Sequence, residues 1–180
     1  MNERFQYRSP TPGDVEELGS LGRITFIETF GHLYRPKDLK VYLDQTYSPE
    51  AIAGELADPL LSHQVVERDH QLVAFAKIGP LGLPVSSPPP KAGEIKQLYV
   101  LNAFAGKGIG RQLMAWALKT LKAASFEKHY LSVFSENHRA IRFYRNHGFE
   151  KCGEYDYPVG DHLDLEWIMV RSRIGGDDMS

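Results

Sequence analysis

A glycine-rich segment restricts the possible folds of this chain more than any other feature. It lies between residues with the apolar alternation of a strand and residues with the apolar periodicity of a helix. Residues 103–111 combine alternating glycines with two cations: Gly106, Lys107, Gly108, Gly110 and Arg111. Glycines let the backbone turn so that several N–H groups converge on one anion, and the positive end of the following helix strengthens that attraction. The segment therefore predicts a pyrophosphate-binding loop, and a glycine-rich turn without a ligand is the alternative.

The spacing of these glycines excludes the two common nucleotide-binding loops. A Walker loop requires glycine at the position of Leu101 and serine or threonine at the position of Gly108. A dinucleotide fingerprint requires a third glycine where Leu113 stands. The pyrophosphate is therefore predicted to belong to neither a nucleoside triphosphate nor a dinucleotide of these two types.

Apolar periodicity predicts an α+β (mixed α/β) fold with the element order β-α-α-α-β-β-β-α-β-α-β-β. The predicted strands are residues 5–8, 63–68, 71–78, 94–100, 129–133, 151–157 and 163–170. The predicted helices lie at about residues 12–30, 39–43, 49–57, 108–124 and 137–146. The short connection Asp69-His70 favours an antiparallel hairpin. The strand at 129–133 is expected to run parallel to 94–100, because a helix crosses between them.

One domain is expected over residues 1–180, with an ordered core at about 5–170 and a frayed tail at 171–180. Residues 79–93 contain five prolines and three glycines. Such a composition is typical of turns, so this segment is predicted to be a mobile surface loop.

Charge and cysteine content restrict the partners and the compartment. A formal net charge of −2 argues against a nucleic-acid partner. Cys152 is the single cysteine, so no intramolecular disulfide can form and a reducing compartment is expected. The first eight residues lack the apolar run of a signal peptide, and no stretch reaches the roughly 20 apolar residues of a membrane span. The predictions are a cytoplasmic location and no membrane partner, and a homodimer is left open.

Two motifs in a fixed order make the chain resemble the GNAT acetyltransferases. Leu98-Tyr99-Val100 followed by residues 106–111 resembles motif A of that family, and residues 137–149 resemble its motif B, Asn-x-x-Ala-x-x-Phe-Tyr-x-x-x-Gly-Phe. A helix and a strand lie between the motifs, as in the family, and the resemblance covers about residues 5–170. It implies the GNAT fold, a central, mixed, mostly antiparallel twisted sheet of six to seven strands flanked by helices.

The resemblance implies acetyl-CoA as cosubstrate and no metal. The cofactor-binding residues that it implies are Leu98, Tyr99, Val100, Ala105, Gly106, Lys107, Gly108, Ile109, Gly110, Arg111, Asn137, Ala140 and Phe143. Ala105 departs from the family pattern, which has glutamine or arginine there. Because the family uses the backbone amide at this position, the departure implies weaker pyrophosphate binding rather than none. In the family the strand splays near Tyr99 and Val100, which frees backbone groups for the thioester.

Tyr144 and Glu94 are the predicted catalytic residues. The resemblance makes Tyr144 the general acid that meets the leaving thiolate, and an ordinary buried tyrosine is the alternative. A primary ammonium has a pKa near 10.4, so about one molecule in a few thousand is a neutral nucleophile at pH 7. A base or a water relay is therefore useful. Glu94, at the start of the strand that leads to the phosphate loop, is the leading candidate, and a solvated strand-end charge is the alternative.

The acceptor is predicted from a narrower resemblance. Residues 25–59 and 161–169 are similar to PaiA-type polyamine acetyltransferases, which implies a small cationic acceptor held by acidic side chains. Glu28 and Tyr34 are the predicted substrate contacts. A protein N-terminus or a lysine is the alternative acceptor, and a non-catalytic acyl-CoA-sensing module is the alternative class. The histidines lack metal-ligand spacing, so no metal site is predicted.

Overall fold

A sheet of seven strands forms the centre of the structure, a computed structural model that describes residues 4–172. The strands are β1 Gln6–Arg8, β2 Ser62–Arg68, β3 Gln71–Pro80, β4 Ala92–Val100, β5 Lys128–Phe134, β6 Glu150–Val159 and β7 His162–Ser172. Their spatial order is β1-β2-β3-β4-β5-β7-β6, and every neighbouring pair is antiparallel except β4 and β5. This confirms the predicted α+β class and the predicted mixed, mostly antiparallel sheet.

Helices cover both faces of the sheet in the described chain. They are α1 Val15–Phe30, α2 Pro36–Thr46, α3 Pro49–Ala57, α4 Ile109–Ala123 and α5 His138–Asn146. The first three pack on the face that carries Val65 and Phe75, and the last two pack on the opposite face with Val66 and Leu131. The alternation of buried residues along β2 sends neighbouring side chains to opposite faces, which is why the sheet has a core on each side.

Local hydrogen bonds explain where the helices begin. The Asp14 carboxylate accepts from both the backbone N–H and the hydroxyl of Thr11, at 2.6 and 2.9 Å, just before α1. The Ser48 hydroxyl accepts from Ala51 N–H at 3.1 Å, and the Asn137 side chain accepts from Ala140 N–H at 3.2 Å. These groups satisfy N–H donors that a first helical turn leaves without partners.

The two central strands separate shortly after they begin. β4 and β5 pair only from Ala92 to Glu94 on β4, although both strands continue beyond that point. The cause lies on the other edge of β4, where Lys77 pairs with Gln97 but Ile78 pairs with Ile95. Lys96 is therefore an extra residue, a β-bulge, and a bulge bends its strand. The bend carries the end of β4 away from β5 and opens a gap in the middle of the sheet.

The proline-rich segment differs from the prediction of a mobile loop at 79–93. Its two ends belong to β3 and β4, where Gly79 pairs with Glu94 and Pro80 pairs with Gly93. Between them, Leu83 and Val85 pack against the buried cluster around Tyr130. The predicted loop is therefore confirmed for residues 81–91 and wrong at the two ends, because pairing with a neighbouring strand overrides the local turn preference of glycine and proline.

The predicted tail also needs correction at its start. Arg171 and Ser172 are part of β7 and pair with His129 and Lys128 of β5. The rest of the predicted frayed tail, 173–180, lies outside the described residues. Within residues 4–172 no helix is both long enough and apolar enough to cross a bilayer.

Two glycines inside helices predict opposite stability changes on substitution by alanine. A Cβ atom at Gly22 of α1 would lie 2.3 Å from Cδ1 of the buried Tyr47 ring, so Gly22→Ala should destabilise the fold by about 1–3 kcal/mol through overpacking. A Cβ atom at Gly54 of α3 would meet nothing within 4 Å, so Gly54→Ala should stabilise it by about 0.5–1 kcal/mol. Urea unfolding of the two variants measures both changes. An equal change in the free energy of unfolding of the two variants would contradict the close packing of Tyr47 on α1.

Candidate active site

The gap between β4 and β5 opens into a cleft with a volume of about 1220 Å³. Its walls come from both sheet faces: α1, the second half of α2 and one residue of α3 on one side, and the N-terminal end of α4 together with α5 on the other. The last three residues of β5 and side chains of β6 and β7 complete the wall beside the gap.

The phosphate loop forms one end of this cleft. Gly106 and Gly108 have φ angles of +78° and +81°, a conformation that side-chain-bearing residues rarely adopt. Gly108 is the N-cap of α4, and the first bond of the helix runs from Gln112 N–H to Gly108 C=O at 3.2 Å. The N–H groups of Ile109, Gly110 and Arg111 precede that bond, so the helix offers them no acceptor. A pyrophosphate fits this cradle, because a Cβ at Gly106 or Gly108 would meet open space.

Most of the predicted cofactor-binding residues line the cleft. They are Leu98, Tyr99, Val100, Ala105, Gly106, Gly108, Ile109, Gly110, Arg111, Asn137, Ala140 and Phe143. Lys107 is exposed and does not line the cleft. Ala105 lines the cleft, but its N–H already donates to Asn102 C=O at 3.1 Å. The use of the Ala105 amide for pyrophosphate stays a prediction.

α5 lies against the phosphate loop through Phe143. Phe143 is the nearest side chain to a Cβ placed on Gly110, at 3.8 Å, and its ring contacts those of Tyr144 and His147 at 5.5 and 4.5 Å. His147 Nδ1 lies 2.8 Å from the Phe143 carbonyl oxygen, which fixes the imidazole at the end of the helix. Phe143 thus packs α5 against the first turn of α4 at the border of the cleft.

Tyr144 extends from α5 into the gap. Its ring packs on Phe149 at 6.2 Å within the core of α4 and α5, and its side chain lines the cleft. Burial, and secondarily the charge of Glu166, raises the pKa of Tyr144 to about 12. The phenol therefore keeps its proton at neutral pH and can donate a hydrogen bond to a group in the gap.

Glu94 is buried in the cleft wall with two donors on one oxygen. Its Oε2 accepts from Gly82 N–H at 2.7 Å and from Lys96 Nζ at 3.0 Å. The first contact ties the proline-rich segment to β4, and the second comes from the bulge residue. Glu94 is thus not a solvated charge at a strand end, and its role as base stays a prediction.

The two predicted substrate contacts both line the cleft. Glu28 accepts from Asn102 N–H at 2.9 Å, so it also fixes the turn that precedes the phosphate loop. The Tyr34 hydroxyl donates a hydrogen bond to Asp164 Oδ2, and the Tyr34 ring stacks on the Phe26 ring with centroids 5.9 Å apart. Burial, with the Asp164 bond next in importance, raises the pKa of Tyr34 well above its usual range.

Asp164 and Glu166 of β7 were missed as site residues by sequence reasoning. Asp164 is only 4% exposed, and its Oδ1 lies 3.1 Å from His162 Nε2, outside hydrogen-bond geometry. Burial, followed by the charge of Asp164, raises the pKa of Glu166 to about 7, while the Ser132 side chain acts in the opposite direction. The available signal was two carboxylates with strand spacing in an otherwise apolar strand, Leu163–Val170.

The described residues contain no group of three or more histidine, cysteine, aspartate or glutamate side chains arranged to hold a metal ion. The arrangement that they do contain is an anion-binding helix start, a parted pair of central strands and a protonated tyrosine between them. These features suit an acyltransferase whose acyl donor carries a pyrophosphate.

The chain belongs to the Acetyltransferase (GNAT) family, whose match covers residues 27–149. It is 24% identical over 161 residues to an uncharacterised N-acetyltransferase of Lactobacillus delbrueckii subsp. lactis, covering 89% of this chain and 93% of that protein. It is 32% identical over 110 residues to the N-alpha-acetyltransferase RimI of Mycobacterium tuberculosis, covering 61% of this chain and 65% of that protein. These similarities confirm an N-acetyltransferase enzyme rather than an acyl-CoA-sensing module.

The fold has a solved counterpart. PaiA N-acetyltransferase of Thermoplasma acidophilum, solved in complex with coenzyme A, superimposes with a TM-score of 0.76 at 20% identity, covering 94% of this chain and 99% of that one. The superposition confirms the predicted GNAT fold.

Proposed function

We propose that this enzyme transfers the acetyl group of acetyl-CoA to a primary amine of a small cationic, polyamine-like acceptor. The observation that carries the proposal is the charge of the acceptor side of the cleft, which five carboxylates line: Glu28, Glu55, Glu94, Asp164 and Glu166. Lysines neutralise Glu55 and Glu94, through Lys77 at 2.6 Å and Lys96 at 3.0 Å. Among the described residues no lysine or arginine forms an ion pair with the other three, so a cationic ligand is favoured there.

Aromatic side chains support the same acceptor. Phe26, Phe30, Tyr34, Tyr42 and Tyr157 line the cleft on the α1 side. The hydroxyls of Tyr42 and Tyr157 lie 3.3 Å apart, and the Tyr42 ring contacts Phe26 at 4.5 Å. Aromatic faces attract cations and also pack against methylene groups, and a polyamine offers both.

The coenzyme would be held by this chain's backbone more than by its charges. The N–H groups of Ile109, Gly110 and Arg111 point out of the start of α4 and suit a pyrophosphate. The edge of β4 beyond Glu94, which has no partner strand in β5, suits the amide groups of an extended pantetheine arm. When bound there, acetyl-CoA supplies the activated thioester that the acceptor attacks.

Tyr144 is proposed to stabilise the departing sulfur by a hydrogen bond. A phenol with a pKa of about 12 and an alkyl thiol near 8.5 differ by about 3.5 units, or roughly 5 kcal/mol against full proton transfer. Early transfer is therefore unfavourable. A bond that strengthens as negative charge grows on sulfur acts mainly in the transition state, which is where catalysis is gained.

A panel of acceptors tests the proposal. The enzyme is incubated with acetyl-CoA and either spermidine, a diamine, a neutral-headed monoamine, an amino acid or a peptide, and acetylated product is quantified by mass spectrometry. We expect kcat/KM for the polyamine to exceed that for the zwitterionic amino acid at least tenfold, because the amino acid brings a carboxylate to an acidic wall. A preference for the amino acid would contradict a cationic acceptor.

A peptide N-terminus is the second candidate acceptor. The observation that favours it is the similarity to RimI, which is an N-alpha-acetyltransferase. Faster acetylation of the peptide than of every small amine in the panel would select this alternative.

A further inference from the structure

We propose that Glu166 is the general base that accepts the acceptor's proton, and that Glu94 positions the cleft wall. This inference rests on the proposed amine acetylation and adds a catalytic residue to it.

Glu166 lies beside the gap, on the face from which an amine can reach Tyr144. It pairs with Phe134 at the end of β5 and with Tyr155 of β6, and residues paired directly across neighbouring strands share a face. The Phe134 ring contacts Phe30 of α1 at 6.2 Å, so this is the α1 face. The Tyr144 ring packs in the core on the opposite face, and the charge of Glu166 acts on its hydroxyl across the gap.

Tyrosines from several elements surround this carboxylate. Its charge raises the pKa of Tyr34, of Tyr99 on β4, of Tyr144 on α5 and of Tyr155 on β6, in each case as a lesser cause than burial. Asp164, on its own strand, is the other acidic group, and Ser132 of β5 is the polar group that favours its charged form. Within residues 4–172 no lysine or arginine contributes to its charge balance. An ammonium arriving beside Glu166 would therefore be the first cation to reach it.

This environment gives Glu166 the properties of a base. Its pKa of about 7 leaves roughly half of the side chain charged at pH 7 and makes it a much better proton acceptor than an ordinary carboxylate. Glu94 has different surroundings, because its Oε2 already accepts from Lys96 Nζ and from the Gly82 N–H. Such contacts suit a residue that holds the segment containing Gly82 and Leu83 against the cleft.

The proton and electron balance of the reaction is complete with these groups. The Glu166 carboxylate takes one proton from the ammonium, and the neutral nitrogen attacks the carbonyl carbon of the thioester to form the C–N bond. The C–S bond breaks, and its electron pair goes to the sulfur, to which the Tyr144 hydroxyl donates a hydrogen bond. The second proton of the attacking nitrogen passes through that hydroxyl to the sulfur as the amide forms, and Glu166 releases its proton to water. An amide, a thiol and one proton are the net products.

The test is the pH dependence of kcat/KM for Glu166→Gln, measured with the best amine of the panel. In the wild type, kcat/KM is expected to fall towards acid pH with a midpoint of about 7, which is the acid limb of the profile, and to stay level from there to about pH 9. In Glu166→Gln, kcat/KM should be about 100-fold lower than in the wild type at pH 7. It should then rise about tenfold per pH unit, because only the scarce neutral amine reacts.

Two further variants make the assignment specific. Asp164→Asn should move the acid limb to lower pH, because it removes the neighbouring charge that helps to raise the pKa of Glu166. Glu94→Gln should keep the limb at about 7 and raise KM, because only the cleft wall loses an anchor. Carbon-13 NMR of the substrate-free protein should show a glutamate carboxyl titrating at about 7 that is absent from folded Glu166→Gln.

The outcomes separate this proposal from the one on which it rests. An acid limb that survives in Glu166→Gln, or that disappears in Glu94→Gln, would overturn the assignment of the base while leaving amine acetylation intact. A wild type that acetylates no member of the panel would instead contradict the proposed function, whatever the NMR titration of Glu166 shows.

Discussion

Replacing Tyr144 by phenylalanine is expected to lower kcat about 100-fold and to leave the affinity for acetyl-CoA nearly unchanged. The change removes one oxygen and little volume, so packing on Phe149 is kept. A hydrogen bond made to the departing sulfur contributes in the transition state rather than in the ground state, and its loss therefore affects kcat. Stopped assays of thiol release, with calorimetry of coenzyme binding, measure the two quantities.

The pH range of this loss is a second part of the same prediction. Because the pKa of Tyr144 is raised to about 12, the phenol stays protonated from pH 7 to 9, and the loss should be constant over that range. Tyr130→Phe is the matched control, since Tyr130 is also buried but lies in the cluster under the proline-rich segment and not in the cleft wall. Equal turnover of Tyr144→Phe and Tyr130→Phe would remove Tyr144 from the mechanism.

Gly110→Trp is expected to weaken acetyl-CoA binding by at least about 100-fold while the protein stays folded. Gly110 is in the first turn of α4, and the nearest atoms to an added Cβ belong to Phe143 and Leu98 at 3.8 and 4.0 Å. A methyl group fits in that space, but an indole extends into the cleft where a pyrophosphate would approach the helix start. Binding that depends on close approach of the backbone is lost when a side chain covers it.

Gly110→Ala is the matched control for this loss. Its added methyl group makes only ordinary contacts, so coenzyme affinity should change by less than about fivefold, roughly 1 kcal/mol. Calorimetry of both variants, with thermal unfolding to confirm that each is folded, measures the difference. Unchanged affinity in folded Gly110→Trp would place the pyrophosphate elsewhere.

Patterns of neighbouring residues made much of this molecule predictable. The elements, their order and the capping residues Thr11, Ser48 and Asn137 follow from periodicity and short-range hydrogen bonds, which depend on residues a few positions apart. The phosphate loop is equally local, because the positive φ angles of Gly106 and Gly108 and the start of α4 lie within consecutive residues.

Local patterns misjudged residues whose environment comes from distant parts of the chain. The proline-rich segment was expected to be mobile, but pairing of Gly79 and Pro80 with β4 fixes its ends. Arg171 and Ser172 were expected to fray, but β5 pairs with them. In each case a partner that the local pattern does not show decides the outcome.

The fold class, the glycine-rich turn before α4 and the candidate acid Tyr144 could be predicted from the sequence, since each depends on a pattern with a fixed spacing. The surroundings of the cleft carboxylates could not. Glu94 forms an ion pair with Lys96 at a bulge, whereas Glu166 lies next to Asp164, and no lysine or arginine among residues 4–172 contributes to its charge balance. The charge state of a carboxylate depends on its burial and on the charges around it, and those are fixed by strand pairing and helix packing rather than by the identity of the residue.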